Sequence, residues 1–160
     1  MAGVKPQGMT SIVKTMAGWV KGFILVFGIY IVAYGHLTPG GGFAGGVILA
    51  LAFVMLVLSY GKTGAPKILS MNIVAEIDSI GGLMFLTIAL LGMLPSLGGV
   101  FFGNFPVKVL HIGRPFHLVS GGIIPLCNIA IALKVASSLF LLFILLILLR
   151  VVYEGEQKVE

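Results

Sequence analysis

The sequence predicts an all-α integral membrane protein of about four transmembrane helices. Hydrophobic residues fill 59% of its 160 positions and charged residues only 9%, whereas a soluble domain carries about 25% charged residues. The apolar residues gather into runs close to the ~20 residues that cross a ~30 Å bilayer core. Lys and Arg fall mostly in the segments that an even number of spans would place on one side.

The spans are expected at about 18–36, 43–60, 73–94 and 122–150, within a single membrane domain over 1–160. Lys5, Lys14 and Lys21 precede the first run, as in a signal peptide. No small-residue cleavage site follows, and Tyr34-Gly35-His36 leads into more apolar sequence, so the run reads as a retained span. Ahead of it, Met9 to Gly22 is mildly amphipathic. Lys14 and Lys21 fall on one face and Trp19 suits the interface, which predicts a short surface helix feeding the first span. Gly61-Lys62-Thr63-Gly64-Ala65-Pro66 is a turn. Pro95 to His117 is a longer connection, broken by Gly98-Gly99, Pro106 and Pro115, and apolar enough to lie against protein or headgroups.

With an even number of spans both termini share a side, which would hold Lys5, Lys14, Lys21, Lys62, Lys67, Arg150 and Lys158. Lys108 and Arg114 would lie on the other. Seven basic residues against two place the N- and C-termini in the cytoplasm. The formal net charge of +5 serves topology here, since no aromatic-plus-basic cluster marks a nucleic-acid surface. The single cysteine, Cys127, precludes an intrachain disulfide and a Cys-based metal site. His111 and His117 flank Arg114 without a third ligand nearby, so no metal site is expected. Arg114-Pro115-Phe116-His117 reads instead as an interfacial anchor.

The most unusual stretch joins the first two spans: Gly35-His36-Leu37-Thr38-Pro39-Gly40-Gly41-Gly42-Phe43-Ala44-Gly45-Gly46. Pro39 cannot continue a helix ladder. The glycines after it open backbone conformations closed to other residues. Gly41/Gly45 and Gly42/Gly46 sit four apart, a spacing that lets another helix approach closely. A phosphate loop is excluded, because no Gly-Lys-Ser/Thr follows and no strand precedes. Two readings stay open: a tight hairpin with a small-residue packing face, and a broken helix whose freed amides bind an ion.

Gly-His-x-x-Pro-Gly-Gly-Gly-Phe-x-Gly-Gly resembles the signature of the B subunit of Mrp-type multisubunit sodium/proton antiporters, at the same place between spans one and two. That family includes the homologous subunit in the antiporter-like module of archaeal membrane-bound hydrogenase and sulfane-reductase complexes. The resemblance is strong over the first two spans and looser beyond. Where the bacterial form tends to carry Asp-x-Gly-Val-Ala-Leu in the last span, this chain has Asn128-Ile129-Ala130-Ile131-Ala132-Leu133, then Lys134. That departure favours the hydrogenase-like or sulfane-reductase-like parent complex over the plain antiporter. The resemblance implies an accessory subunit in a prokaryotic cell membrane, non-catalytic and binding no cofactor itself. Its partners would be other membrane subunits and the lipid bilayer, with any iron–sulfur or nickel–iron centres in peripheral redox subunits.

Ionisable residues within spans are the default functional candidates. Lys134 either snorkels or pairs structurally, or lines an ion path. Glu76 and Asp78 open the third span, where acidic groups suit the helix dipole. Two residues apart they diverge by about 200°, so they cannot share a face. Glu76 is the sharper candidate to face a neighbouring subunit's polar channel. His36, beside Pro39, is either interfacial or a proton shuttle. Asn128, after Pro125, is expected to bond carbonyls that a proline leaves free. Two other functions compete with an accessory subunit: a small dimeric transporter and a membrane-embedded enzyme. The transporter would need a membrane-central acid to couple transport, which the sequence does not offer. The enzyme would need a nucleophile–base pair or clustered carboxylates, also missing.

Overall fold

The computed structural model describes residues 9–61, 70–95, 99–104 and 121–156, and these are all helical apart from their connections. The helices are α1 (Ser11–Tyr34), α2 (Gly41–Tyr60), α3 (Met71–Leu91) and α4 (Ile124–Glu156). All four are long and apolar enough to cross a membrane. The turn beyond Gly61, the basic residues Lys5, Lys62, Lys67, Lys108, Arg114 and Lys158, and the segment holding His111, Pro115, Phe116 and His117 lie outside the described residues.

Two boundaries differ from the sequence expectation. Met9 to Gly22 is not a separate surface helix, since α1 runs unbroken from Ser11 to Tyr34. The reason is tertiary: the start of α1 lies beside the end of α2. Met9 N–H donates to Ser59 O at 3.1 Å, and the Lys14 ammonium stands 5.7 Å from the centre of the Tyr60 ring. At the other end, α4 continues past Arg150 to Glu156.

The helices alternate in direction. Gly28 and Val32 of α1 meet Leu49 and Gly45 of α2, so the pair is antiparallel. Gly42 and Gly46 of α2 meet Asn128 and Ala132 of α4, which runs parallel to it. Gly81 of α3 meets Lys134 and Ala130 of α4, antiparallel again. The main packing pairs are α1 on α2, α2 on α4 and α4 on α3, with a lighter α1–α4 contact. The order across the molecule is therefore α1–α2–α4–α3.

Glycine sets how close these helices come. A Cβ on Gly42 would stand 2.8 Å from Asn128 Cα, and one on Gly46 would stand 2.9 Å from Ala132 O. One on Gly45 would collide with Val32 and lie 3.2 Å from Gly28 O. Gly45 thus admits α1, while Gly42 and Gly46 admit α4. The turn needs glycine for a second reason: φ is +136° at Gly40 and +64° at Gly41, conformations that L side chains rarely adopt.

Between Tyr34 and Gly41 the chain closes α1 with Leu37 and Thr38 amides on Tyr34 O, joined by the Thr38 hydroxyl at 3.1 Å. After α3 the described part of the long connection folds back on protein, as its apolar character suggests. Phe102 N–H donates to Ala89 O at 3.3 Å, and its ring lies 5.4 Å from that of Phe85. Asn104 then accepts the Ile123 amide at 3.2 Å, satisfying a donor at the entrance to α4.

Near the Tyr60 end, Val57, Val74, Phe140 and Ile144 form a buried cluster from α2, α3 and α4, with Phe53 edge-on to Phe140 at 6.1 Å. Elsewhere large apolar side chains face outward, Ile12 at 77% and Phe23 at 74% exposure among them. A soluble monomer does not expose so much apolar surface, whereas a chain of membrane-spanning helices does.

Gly45→Leu is expected to abolish accumulation of the folded protein, because its side chain must displace α1. Gly18→Ala, where an added methyl meets nothing within 4 Å, is expected to accumulate at the wild-type level. Fluorescence size-exclusion of a tagged chain reads both; a monodisperse wild-type peak for Gly45→Leu would contradict the packing.

Candidate functional site

Seven residues into α3, Asp78 faces α4. At 1.5 Å per residue that is ~10 Å from the start of the helix and ~20 Å from its end, inside a ~30 Å apolar core. Asp78 Oδ2 accepts from the Lys134 ammonium at 2.5 Å. Its other oxygen accepts a hydrogen bond from the Ser138 hydroxyl. Ser137 Oγ stands 3.4 Å from the same oxygen, but its single proton is better placed on Leu133 O at 2.6 Å. One carboxylate thus holds a cation and a hydroxyl from a single helical turn of α4.

The local sequence brings these groups together. Lys134 and Ser138 are four apart and share a face of α4. One turn beyond Asp78, Gly81 lets the backbone of α4 come close: a Cβ there would lie 2.8 Å from Lys134 N and 3.1 Å from Ala130 O. Lys134 therefore does not snorkel toward the near end of α4. Its ammonium turns to Asp78, and the pairing offsets a cost of about 2.5–3.5 kcal/mol for a lone charge at the centre of a spanning helix. Asp78, expected as a partner for the helix dipole, is a partner for α4 instead.

Of the other candidates, Glu76 lies on the exposed side of α3, away from Asp78, as the helical angle requires. His36 is at the opposite end of the molecule, packed on Gly121, where an added Cβ would stand 3.1 Å from its ring. The structure thus joins Asp78 to Lys134 and keeps Glu76 and His36 apart. It adds Ser137 and Ser138, which were not among the residues expected from the sequence. Their signal was present: Lys134, Ser137 and Ser138 are polar at i, i+3 and i+4 inside an otherwise apolar span.

Asn128 does not serve carbonyls freed by Pro125. Proline in the first turn removes no intrahelical bond, and Gly121 O already accepts the Ile124 amide at 3.2 Å. The Asn128 side-chain oxygen instead accepts Gly42 N–H, at 3.3 Å, at the start of α2. Asn128 and the backbone of α4 pack against Gly42 at that helix start, and Gly46 continues the contact along α2. Among the described residues no three His, Cys, Asp or Glu side chains group to hold a metal.

A family model described as a domain related to the MnhB subunit of Na+/H+ antiporters matches residues 12–153. The chain belongs to this MnhB-related family. It is 32% identical over 157 residues to an uncharacterized protein of Methanocaldococcus jannaschii, covering 94% of this chain and 59% of that protein. It is 36% identical over 63 residues to the B subunit of the Na+/H+ antiporter of Bacillus subtilis, covering 39% of this chain and 44% of that one. The chain thus spans well under two thirds of either relative's length. Among solved structures, a chain of the membrane-bound sulfane sulfur reductase, an archaeal respiratory membrane complex, superposes with a TM-score of 0.60 at 27% identity. The match covers 86% of this chain and 60% of that one. In this MnhB-related chain the acid of the ion pair, Asp78, comes from α3 and the base, Lys134, from the last span.

Breaking the pair on one side is expected to cost about 1.5–3 kcal/mol, the range for hydrogen bonds to charged groups. Asp78→Asn and Lys134→Met should each lower the thermal midpoint in detergent, and the double variant should lose clearly less than the sum. Strict additivity would mean the two side chains do not interact.

Proposed function

We propose that this chain is a non-catalytic, accessory membrane subunit of a multisubunit sodium/proton-translocating complex. More specifically, it belongs in the antiporter-like module of a sulfane-reductase-like or membrane-bound-hydrogenase-like respiratory complex. The observation that supports this reading is the likeness to a chain of the sulfane sulfur reductase, an archaeal respiratory membrane complex, over 86% of the sequence. A stand-alone Mrp-type antiporter is the second reading, favoured by the family model itself.

The packing fits an accessory role. Helices in the order α1–α2–α4–α3 are not closed into a ring, since α3 makes substantial contact with α4 alone. A path across the membrane would then run between this chain and its neighbours, where Asp78, Lys134 and the exposed Glu76 stand. Redox centres, iron–sulfur or nickel–iron, would reside in partner subunits. Both termini would face the cytoplasm of a prokaryotic cell, following the distribution of Lys and Arg.

Gentle purification of the tagged chain from its native membrane, with mass spectrometry of what accompanies it, tests the proposal. Antiporter-type subunits together with iron–sulfur proteins are expected. Antiporter-type subunits alone would favour the second reading, and a homodimer by itself would overturn both. In the same preparation, Lys134→Ala complexes that remain assembled are expected to translocate fewer ions in vesicles. Full pumping by an assembled variant would remove Lys134 from the path.

A further inference from the structure

Beside the α3–α4 seam lies a groove of about 230 Å³, lined by Gly81, Gly82, Phe85, Ala130, Ile131 and Lys134. Its floor is small residues and its one charged wall is Lys134. The lysine side chain is 47% exposed although it is held within the apolar thickness, while Asp78 behind it is 21% exposed. An ammonium carries three N–H donors. Asp78 takes one of Lys134's, and no other described residue accepts from it. The second Asp78 oxygen accepts from Ser138, which fixes the carboxylate with its Oδ2 toward Lys134.

The outward donors of Lys134 therefore face the groove with no acceptor among the described residues. Acyl chains have none, and an unsatisfied polar group in hydrocarbon costs several kcal/mol. Headgroups begin ~10 Å from Asp78 along α3, and the ammonium is already committed to that depth by its bond to Asp78. Gly82, where an added Cβ would meet only the Lys134 stem at 3.9 Å, leaves room for a helix to approach within reach of the lysine.

We infer that this groove receives a transmembrane helix of another membrane subunit, which presents an Asp or Glu side chain to Lys134 at the depth of Asp78 within the span. The inference rests on the proposed place of the chain in a multisubunit complex and adds the chemistry of one contact. Lys134 then bridges two carboxylates, Asp78 within the chain and one across the interface. Ser138 holds Asp78 in position.

A photoreactive residue in place of Ile131, in the complex in its native membrane, tests this. The expected product is a crosslink to a spanning segment of another subunit with an Asp or Glu within one turn of the attachment point. Replacing that acid by its amide should then speed dissociation of the partner about 30-fold or more, as Lys134→Met does, since each leaves one charge of the pair stranded. Combining the two should add little further loss. Crosslinks to lipid alone, or to a segment without an acidic residue, would overturn the inference. If antiporter-type subunits still co-purify in that case, the proposed function stands without it. If none co-purifies, both fall.

Discussion

Where Gly42 and Gly46 meet Asn128 and Ala132, two helices touch backbone to backbone, and the placement of the others follows from that contact. In hydrocarbon, apolar side chains gain little by leaving lipid for one another, so helices associate where backbones fit closely and polar groups find partners. The start of α2 supplies both. Its glycines remove the side chains that would hold α4 away, and its buried Gly42 amide, at the helix start, donates to Asn128. On the adjoining face Gly45 admits α1. Gly40 and Gly41, with positive φ, turn the chain sharply enough for α1 to lie back along α2. A single stretch of small residues thus places two neighbours on α2.

The α3–α4 seam uses the same device for a different end. Gly81 permits the close approach, and Asp78 and Lys134 exploit it. As a source of stability this pair is modest. Two charges brought into an apolar medium recover by attraction roughly what their desolvation costs. Packing by glycine would hold the helices without them. Retaining both charges within a span is therefore better explained by ion movement or partner recognition than by stability. The energetic asymmetry points the same way, since losing one charge of such a pair is far worse than having neither.

Membership of the MnhB-related family and the arrangement of charge belong together. The acid lies on α3 and the base on α4, so the local charge is balanced within the chain. The two groups remain accessible from one side. Glu76, on the exposed side of the same helix, adds a second ionisable group that faces outward. With charges on its flank rather than around a central pore, the chain would act, in the proposed complex, by what it presents to its neighbours.

Composition and run length alone pointed to four helices long and apolar enough to cross a membrane, and the described residues form them, because a bilayer admits few other ways to satisfy the backbone. The Pro-Gly-Gly-Gly-Phe corner was equally legible, since proline and positive-φ glycine act locally. Which neighbour each glycine serves was not, because helical spacing marks a face without naming what lies against it. The continuity of α1 through Met9–Gly22 also depended on a distant contact with Ser59 and Tyr60. The pairing of Asp78 with Lys134 was hidden for the same reason: 56 positions separate them, and only antiparallel packing of α3 on α4 sets them at one depth. Periodicity along a helix is a local property that sequence carries directly. Register between helices is decided by the sum of many close contacts, and that sum exists only once the chain has folded.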